Sequence, residues 1–112
     1  MTTILAQFNI QPGKEAEAEK ALNEMAAAVE ANEPGALLYV FNRSQKEPSE
    51  ITVFEVYADD EAFNAHSQTP HMATLRSGFG PLFDPASVKI VRMDRIAGFM
   101  RPPPDGGPSG PA

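Results

Sequence analysis

"ALLYVFNRSQKEPSEITVFEVYAD", residues 36–59, holds two apolar runs separated by a short polar link. Residues 36–44 and 51–59 read as strands, and a connection as short as "QKEPSE" is most simply a hairpin. In the first run Leu37, Tyr39 and Phe41 alternate with Leu38 and Val40; in the second Ile51, Val53 and Tyr57 alternate with Phe54, Val56 and Ala58. A sheet with one solvated face alternates apolar with polar. These strands are apolar on both faces, so both need cover. Helices supply it on one side, and a second copy of the same sheet is the simplest cover for the other. The pattern predicts a homodimer packed through its sheet faces. The competing expectation is that residues 78–87 and the C-terminal tail fold over the sheet.

Outward from this hairpin, residues 3–10 form a first strand that ends at the turn signal Gln11-Pro12-Gly13. From Lys14 to about Ala31 the chain turns to Ala, Glu and Lys, with Ala18, Leu22, Met25 and Val29 at helical spacing. Glu33-Pro34-Gly35 stops that helix. After the hairpin, Asp59 caps a helix over 60–67, and Thr69-Pro70 restarts a second one that runs to about Ser77 and halts at Gly78. Residues 79–87 read as a loop or single turn and 88–99 as the last strand. The order β-α-β-β-α-β, with a broken second helix, is the ferredoxin-like split arrangement: an α+β fold with a four-stranded antiparallel sheet and both helical units on one face. The domain is expected over residues 1–100, followed by a Pro/Gly-rich tail over 101–112 that behaves as a polyproline-prone extension.

Composition narrows the partners. The 112 residues carry a net charge of −6, which is the opposite of a nucleic-acid footprint. Without cysteine there is neither a thiol nucleophile nor a thiolate metal site. No run approaches a membrane span, and the N-terminus lacks the pattern of a signal peptide, so a cytoplasmic location is expected.

Both histidines fall in "EAFNAHSQTPHM", residues 61–72. His66 sits near the C-terminal end of its helix and His71 in the first turn of the next. The helix dipoles favour protonation at the first and oppose it at the second, so the pair is suited to act as acid and base. Their structural alternatives are a capped helix end for His66 and a solvated first turn for His71. A shared metal site is not expected, because the i, i+5 spacing broken by Pro70 does not put both rings on one helix face and no carboxylate lies at ligand spacing. Tyr57 ends its strand where its hydroxyl can enter a pocket or its ring can belong to the dimer core. Phe54, Phe63, Phe79 and Phe83 supply apolar walls together with Tyr39 and Phe41, while Met72 and Leu75 line the pocket or seat the third helix. Arg76 is a candidate to bind an anionic group on a substrate, against the default of a solvent-facing helix arginine. Glu55, the one charge inside a strong strand, is expected to pair with Arg43 or Arg92.

"PGK" after the first strand, "EPGALLY" into the second, "ITVFEVYADDEAFNAH" and then "TPHM" resemble, in order and spacing, the antibiotic biosynthesis monooxygenase (ABM) family over about residues 3–97. The resemblance implies a dimeric α+β barrel with a pocket between the sheet and the second helical unit, and chemistry without metal or prosthetic group. Around the histidines the chain resembles the small quinol-monooxygenase-like members and the relative that isomerises a phosphorylated quorum-signal sugar. The family's haem-degrading members use an Asn, a Trp and a His. Here the chain has no Trp, the Asn position falls on Ala6 and the His position near Arg76, which disfavours that activity. The resemblance therefore implies a cofactor-independent monooxygenase that oxidises a small quinol, phenol or related aromatic with O2. The alternatives are a cofactor-free isomerase of a small oxygenated metabolite and a non-catalytic dimeric ligand-binding module.

Overall fold

The computed structural model describes residues 1–102; the proline- and glycine-rich extension expected at the C-terminus lies almost wholly outside them. The elements run β1 (Thr2–Ile10), α1 (Glu15–Asn32), β2 (Ala36–Arg43), β3 (Glu50–Tyr57), α2 (Asp60–Ser67), α3 (Pro70–Ser77), α4 (Phe79–Leu82) and β4 (Phe83–Asp94). The four strands make one antiparallel sheet in the order β2-β3-β1-β4, the ferredoxin-like arrangement. Among the described residues no helix is long and apolar enough to cross a membrane.

Alternation along β1 buries Ile4, Ala6, Phe8 and Ile10, and along β3 it buries Ile51, Val53, Glu55 and Tyr57. These side chains form the face on which the helices lie. Ala18, Leu22, Met25 and Val29 give α1 its buried stripe against them, at the spacing an amphipathic helix requires. Gly35 lies so close to α2 that a Cβ there would stand 2.7 Å from the Cβ of Ala62. Only glycine lets the start of β2 pass beneath that helix.

The last strand departs from the expected 88–99. It begins at Phe83, directly after the single turn α4, and ends at Asp94. Pro85 is tolerated inside it because β4 is an edge strand, where a missing N–H costs little. The register with β1 shifts between Gln7 and Asn9, and there the Ser87 hydroxyl accepts the Asn9 N–H at 2.8 Å. The strand stops where its partner runs out, since Asp94 pairs with Thr2. Residues 79–83 pack on the helix side, with Phe79 and Phe83 ring to ring at 4.8 Å and both against Phe8. They do not fold over the far face of the sheet.

That far face carries two apolar rows that cross the strands in register. Val40, Phe54, Leu5 and Val91 make one, and Leu38, Val56, Thr3 and Met93 the next. A polar row, Asn42, Thr52, Gln7 and Lys89, bounds them. Val40, Phe54, Val91 and Met93 are all exposed in the single chain.

Candidate functional site

The site begins at the end of α1. Pro34 disfavours helical backbone at Glu33, which becomes the C-cap and donates its N–H to the Val29 carbonyl at 2.9 Å. The turn that follows holds the Glu33 side chain inward, 9% exposed, rather than in solvent with the other glutamates of this helix.

Two more segments converge on that carboxylate. Asp59 caps α2 by accepting the Ala62 N–H, and eight residues later the helix ends with His66 buried in its last turn. Thr69 then joins the two short helices: its hydroxyl donates to the His66 carbonyl at 2.8 Å and accepts the Met72 N–H that starts α3. This stitch fixes His71 relative to His66. His66 Nδ1 lies 2.9 and 3.1 Å from the Glu33 carboxylate oxygens, and His71 Nε2 lies 2.5 Å from Oε2. The expectation that Pro70 keeps the two rings apart is corrected here. They need not share a helix face, because the chain turns between α2 and α3 and the carboxylate they share comes from 38 residues before His71.

The rings of Tyr39 and Tyr57 flank His66 at centroid distances of 5.5 and 5.4 Å. Tyr39, Glu55, Ile4 and Arg92 lie in register across the helix-side face of the sheet. Glu55 forms no ion pair with either expected arginine. Ile4 separates it from Arg92, which reaches Asp60 on α2 at 2.8 Å, while Arg43 pairs with Glu19 at 3.1 Å. The Tyr57 hydroxyl donates to Glu55 instead, at 2.5 Å. Burial raises the Glu55 carboxyl above the usual carboxylate range, against the Tyr57 hydrogen bond and the nearby His66, which lower it. Burial also raises both tyrosine hydroxyls, with the Glu55 charge adding to it, so they act as neutral donors.

This environment gives a pH prediction. A carboxyl whose folded pKa is raised binds its proton more tightly in the native state. Its contribution is fully present below the unfolded value near 4.5 and is lost as pH rises through the folded value. Tyr39, Tyr57, His66 and Glu33 are the titratable groups around it. Glu55→Gln keeps an acceptor for Tyr57 and removes the buried charge. It is expected to melt higher than the parent at pH 7–8, by about 1 kcal/mol or a few degrees, and to match it at pH 4. Thermal unfolding across that range checks this, and parallel curves would refute it.

The other residues singled out from sequence divide sharply. Tyr57 is fully buried against His66 and Phe63, and Phe63 lies half-buried beneath the Arg92 guanidinium at 5.3 Å. Leu75 and His71 line a cleft of about 300 Å³ between α1 and α3. Met72 sits half-buried in the first turn of α3. Arg76 is exposed and donates to the Ser67 carbonyl at 2.5 Å, closing the end of α2. Phe79 and Phe83 belong to the core cluster around Phe8, and Phe54 points from the opposite face of the sheet. A larger cleft, about 820 Å³, runs between α1 and edge strand β2 and is lined by Glu33 and Tyr39 among others. The trio Glu33, His66 and His71 thus touches two clefts, one through its carboxylate and one through His71.

A carboxylate can only accept. Each ring nitrogen facing Glu33 therefore carries a proton, and the neutral tautomers leave lone pairs on His66 Nε2 and His71 Nδ1. Glu33 does for two imidazoles what the buried acid of a catalytic triad does for one.

The comparisons with known proteins agree with this fold. The family model described as "Antibiotic biosynthesis monooxygenase" matches residues 1–77. A crystal structure from Caulobacter crescentus that bears the same family name is 33% identical, with a TM-score of 0.80 over 86% of this chain and 90% of that one. One from Pseudomonas aeruginosa is 26% identical, with a TM-score of 0.77 over 86% of this chain and 94% of that one. No curated protein matches. With a family model spanning more than half its length and a solved relative at that identity, the chain belongs to the antibiotic biosynthesis monooxygenase family.

Proposed function

We propose that this chain is a monooxygenase that oxidises a small quinol, phenol or related electron-rich aromatic with O2 and without a cofactor. The observation that carries the reading is the pair of imidazoles held by one buried carboxylate, each with its second nitrogen left as a base. Family membership supports the reaction class. His66 and His71 handle the protons, and Tyr57 and Phe63 supply aromatic wall beside His66. Leu75, beside His71, lines the smaller cleft.

The electron balance needs no further reductant. Deprotonation of a ring hydroxyl by an imidazole gives an electron-rich anion, which reacts with O2 to a peroxide adduct. The imidazolium then returns its proton to the departing peroxide oxygen; as the O–O bond breaks, the oxygenated ring carbon loses its hydrogen as a proton, which completes the water and leaves a carbonyl. A hydroquinone and O2 become a hydroxyquinone and water, so one oxygen atom enters the ring and the substrate supplies all the electrons. The neutral Tyr39 hydroxyl and an imidazolium are groups able to stabilise the developing negative charge.

The working unit in this proposal is a homodimer that covers the two apolar rows of the far sheet face. Oxygen-electrode measurements with a panel of quinols and hydroxynaphthalenes test the activity. Saturable uptake with at least one substrate, one O2 consumed per hydroxyquinone formed, is the expected result. Uptake at the buffer rate across the panel would refute it and leave proton transfer without O2 as the chemistry to examine.

A further inference from the structure

Glu33, His66 and His71 each present one ligand atom, and the three atoms lie within 4.8 Å of one another. Two imidazoles and a carboxylate are the donors that borderline divalent metals prefer. An ion held at about 2.0–2.2 Å from each donor separates neighbouring donor atoms by roughly 3–3.6 Å. The observed contacts of 2.9 Å from His66 and 2.5 Å from His71 to Glu33 are shorter than that, as hydrogen bonds are, and side-chain rotations that part the carboxylate from the two rings would make room for the ion.

Burial distinguishes this trio from the acidic surface of the rest of the chain. The side chains of Glu33, His66 and His71 are 9%, 5% and 15% exposed. A carboxylate removed from water needs hydrogen-bond donors or a bound cation. Here the ring N–H groups of His66 and His71 supply the donors, and a metal ion between the three groups would take their place. The ligands also arrive from three separately anchored segments, the α1 cap and the facing ends of α2 and α3, and the Thr69 stitch holds the last two in place.

We propose that Glu33, His66 and His71 bind one divalent cation of the zinc class. Three protein donors leave the fourth tetrahedral position for water or a small ligand. The ion takes the same Nδ1 and Nε2 positions that carry protons when Glu33 accepts their hydrogen bonds. Metal occupancy and the proton handling proposed above therefore exclude each other, and the ion inhibits that reaction. The binding itself rests on geometry and does not depend on the oxygenase reading.

The test uses the full chain stripped with a chelator, titrated with Zn2+ in a calorimeter and with Co2+ in a visible spectrometer. One ion per chain and cobalt d–d bands of a low-coordinate nitrogen–oxygen site are expected. Glu33→Gln and, separately, His71→Ala should weaken Zn2+ binding beyond the 10- to 100-fold loss typical of outer-shell substitutions. His71 is the least buried of the three, so that variant tests the site even if Glu33→Gln fails to fold, as circular dichroism would reveal. Absence of heat and of a cobalt spectrum in the parent would overturn the proposal. So would one-to-one binding that either folded variant retains unchanged. Neither readout involves substrate, so failure here and failure of the oxygen-uptake experiment are separate results.

Discussion

His66→Asn is expected to lower the oxygen-uptake rate by about 10²- to 10⁴-fold, the range that positioned acid–base groups contribute, while the protein stays folded. The asparagine amide nitrogen stands near the position of Nδ1, so it can keep the hydrogen bond to Glu33 that His66 makes at 2.9 Å. What it lacks is the distal nitrogen and the lone pair that serves as the base. His66→Ala is the contrasting variant. It opens a cavity between Tyr39 and Tyr57 and leaves the buried Glu33 carboxylate with one partner. That change is expected to cost about 2–4 kcal/mol of stability in addition to the rate. His71 makes its bond through Nε2, which a glutamine amide imitates, so His71→Gln is the matching control. A His66→Asn protein that keeps its rate would reduce His66 to a structural partner of Glu33. Steady-state oxygen uptake beside a melting curve for each variant separates the two cases.

What the sequence disclosed and what it hid follow one division. Local signals were legible. The caps Asp59 and Thr69, the proline at the start of α3 and the stripe Ala18-Leu22-Met25-Val29 each involve residues within a few positions, and the structure has them as expected. The two-faced strands correctly put Val40 on the face opposite Tyr39 and Phe54 on the face opposite Tyr57, although the same Phe54 was also expected in the pocket wall with Tyr57. Period-2 alternation forbids both, because Phe54 and Tyr57 lie on opposite faces of β3. The last strand was set five residues late because residues 79–87 were read as a loop or single turn, and the tolerance of Pro85 within the strand depends on β4 being an edge.

Glu33 was the larger omission. "EPG" reads as punctuation, and nothing within ten residues marks its carboxylate as different from Glu30 or Glu24. Its role exists only because α1 delivers its cap beside helices that begin 27 residues later in the chain. A glutamate placed where Pro34 forbids another helical turn was the one available signal. Glu55 was misread for the same reason. A charge in a strand suggested an arginine, whereas the nearest donor in space was Tyr57, two residues along on the same face.

For the homodimer proposed above, Phe54→Glu is expected to shift the protein from dimer to monomer at micromolar concentration. The argument starts from the far sheet face, where Val40, Phe54, Leu5 and Val91 follow one another across all four strands and the next row is apolar except for Thr3. Phe54 is central in the first row and 47% exposed in the isolated chain. In sheet-on-sheet packing such a row meets its counterpart across a gap of about 10 Å, which large side chains fill. A two-fold interface places each substitution twice. Losing a phenylalanine burial worth about 1.5–3 kcal/mol on each side weakens association by roughly 3–6 kcal/mol, or about 10²- to 10⁴-fold in Kd. The buried carboxylates add to that loss. Lys20→Glu on the exposed side of α1 makes a larger charge change away from this face and should leave assembly intact. Sedimentation velocity of the three proteins across a concentration series gives the answer. If Phe54→Glu sediments as the parent does, copies of this chain do not meet through the two apolar rows. The exposed Val40, Phe54, Val91 and Met93 would then need cover of another kind.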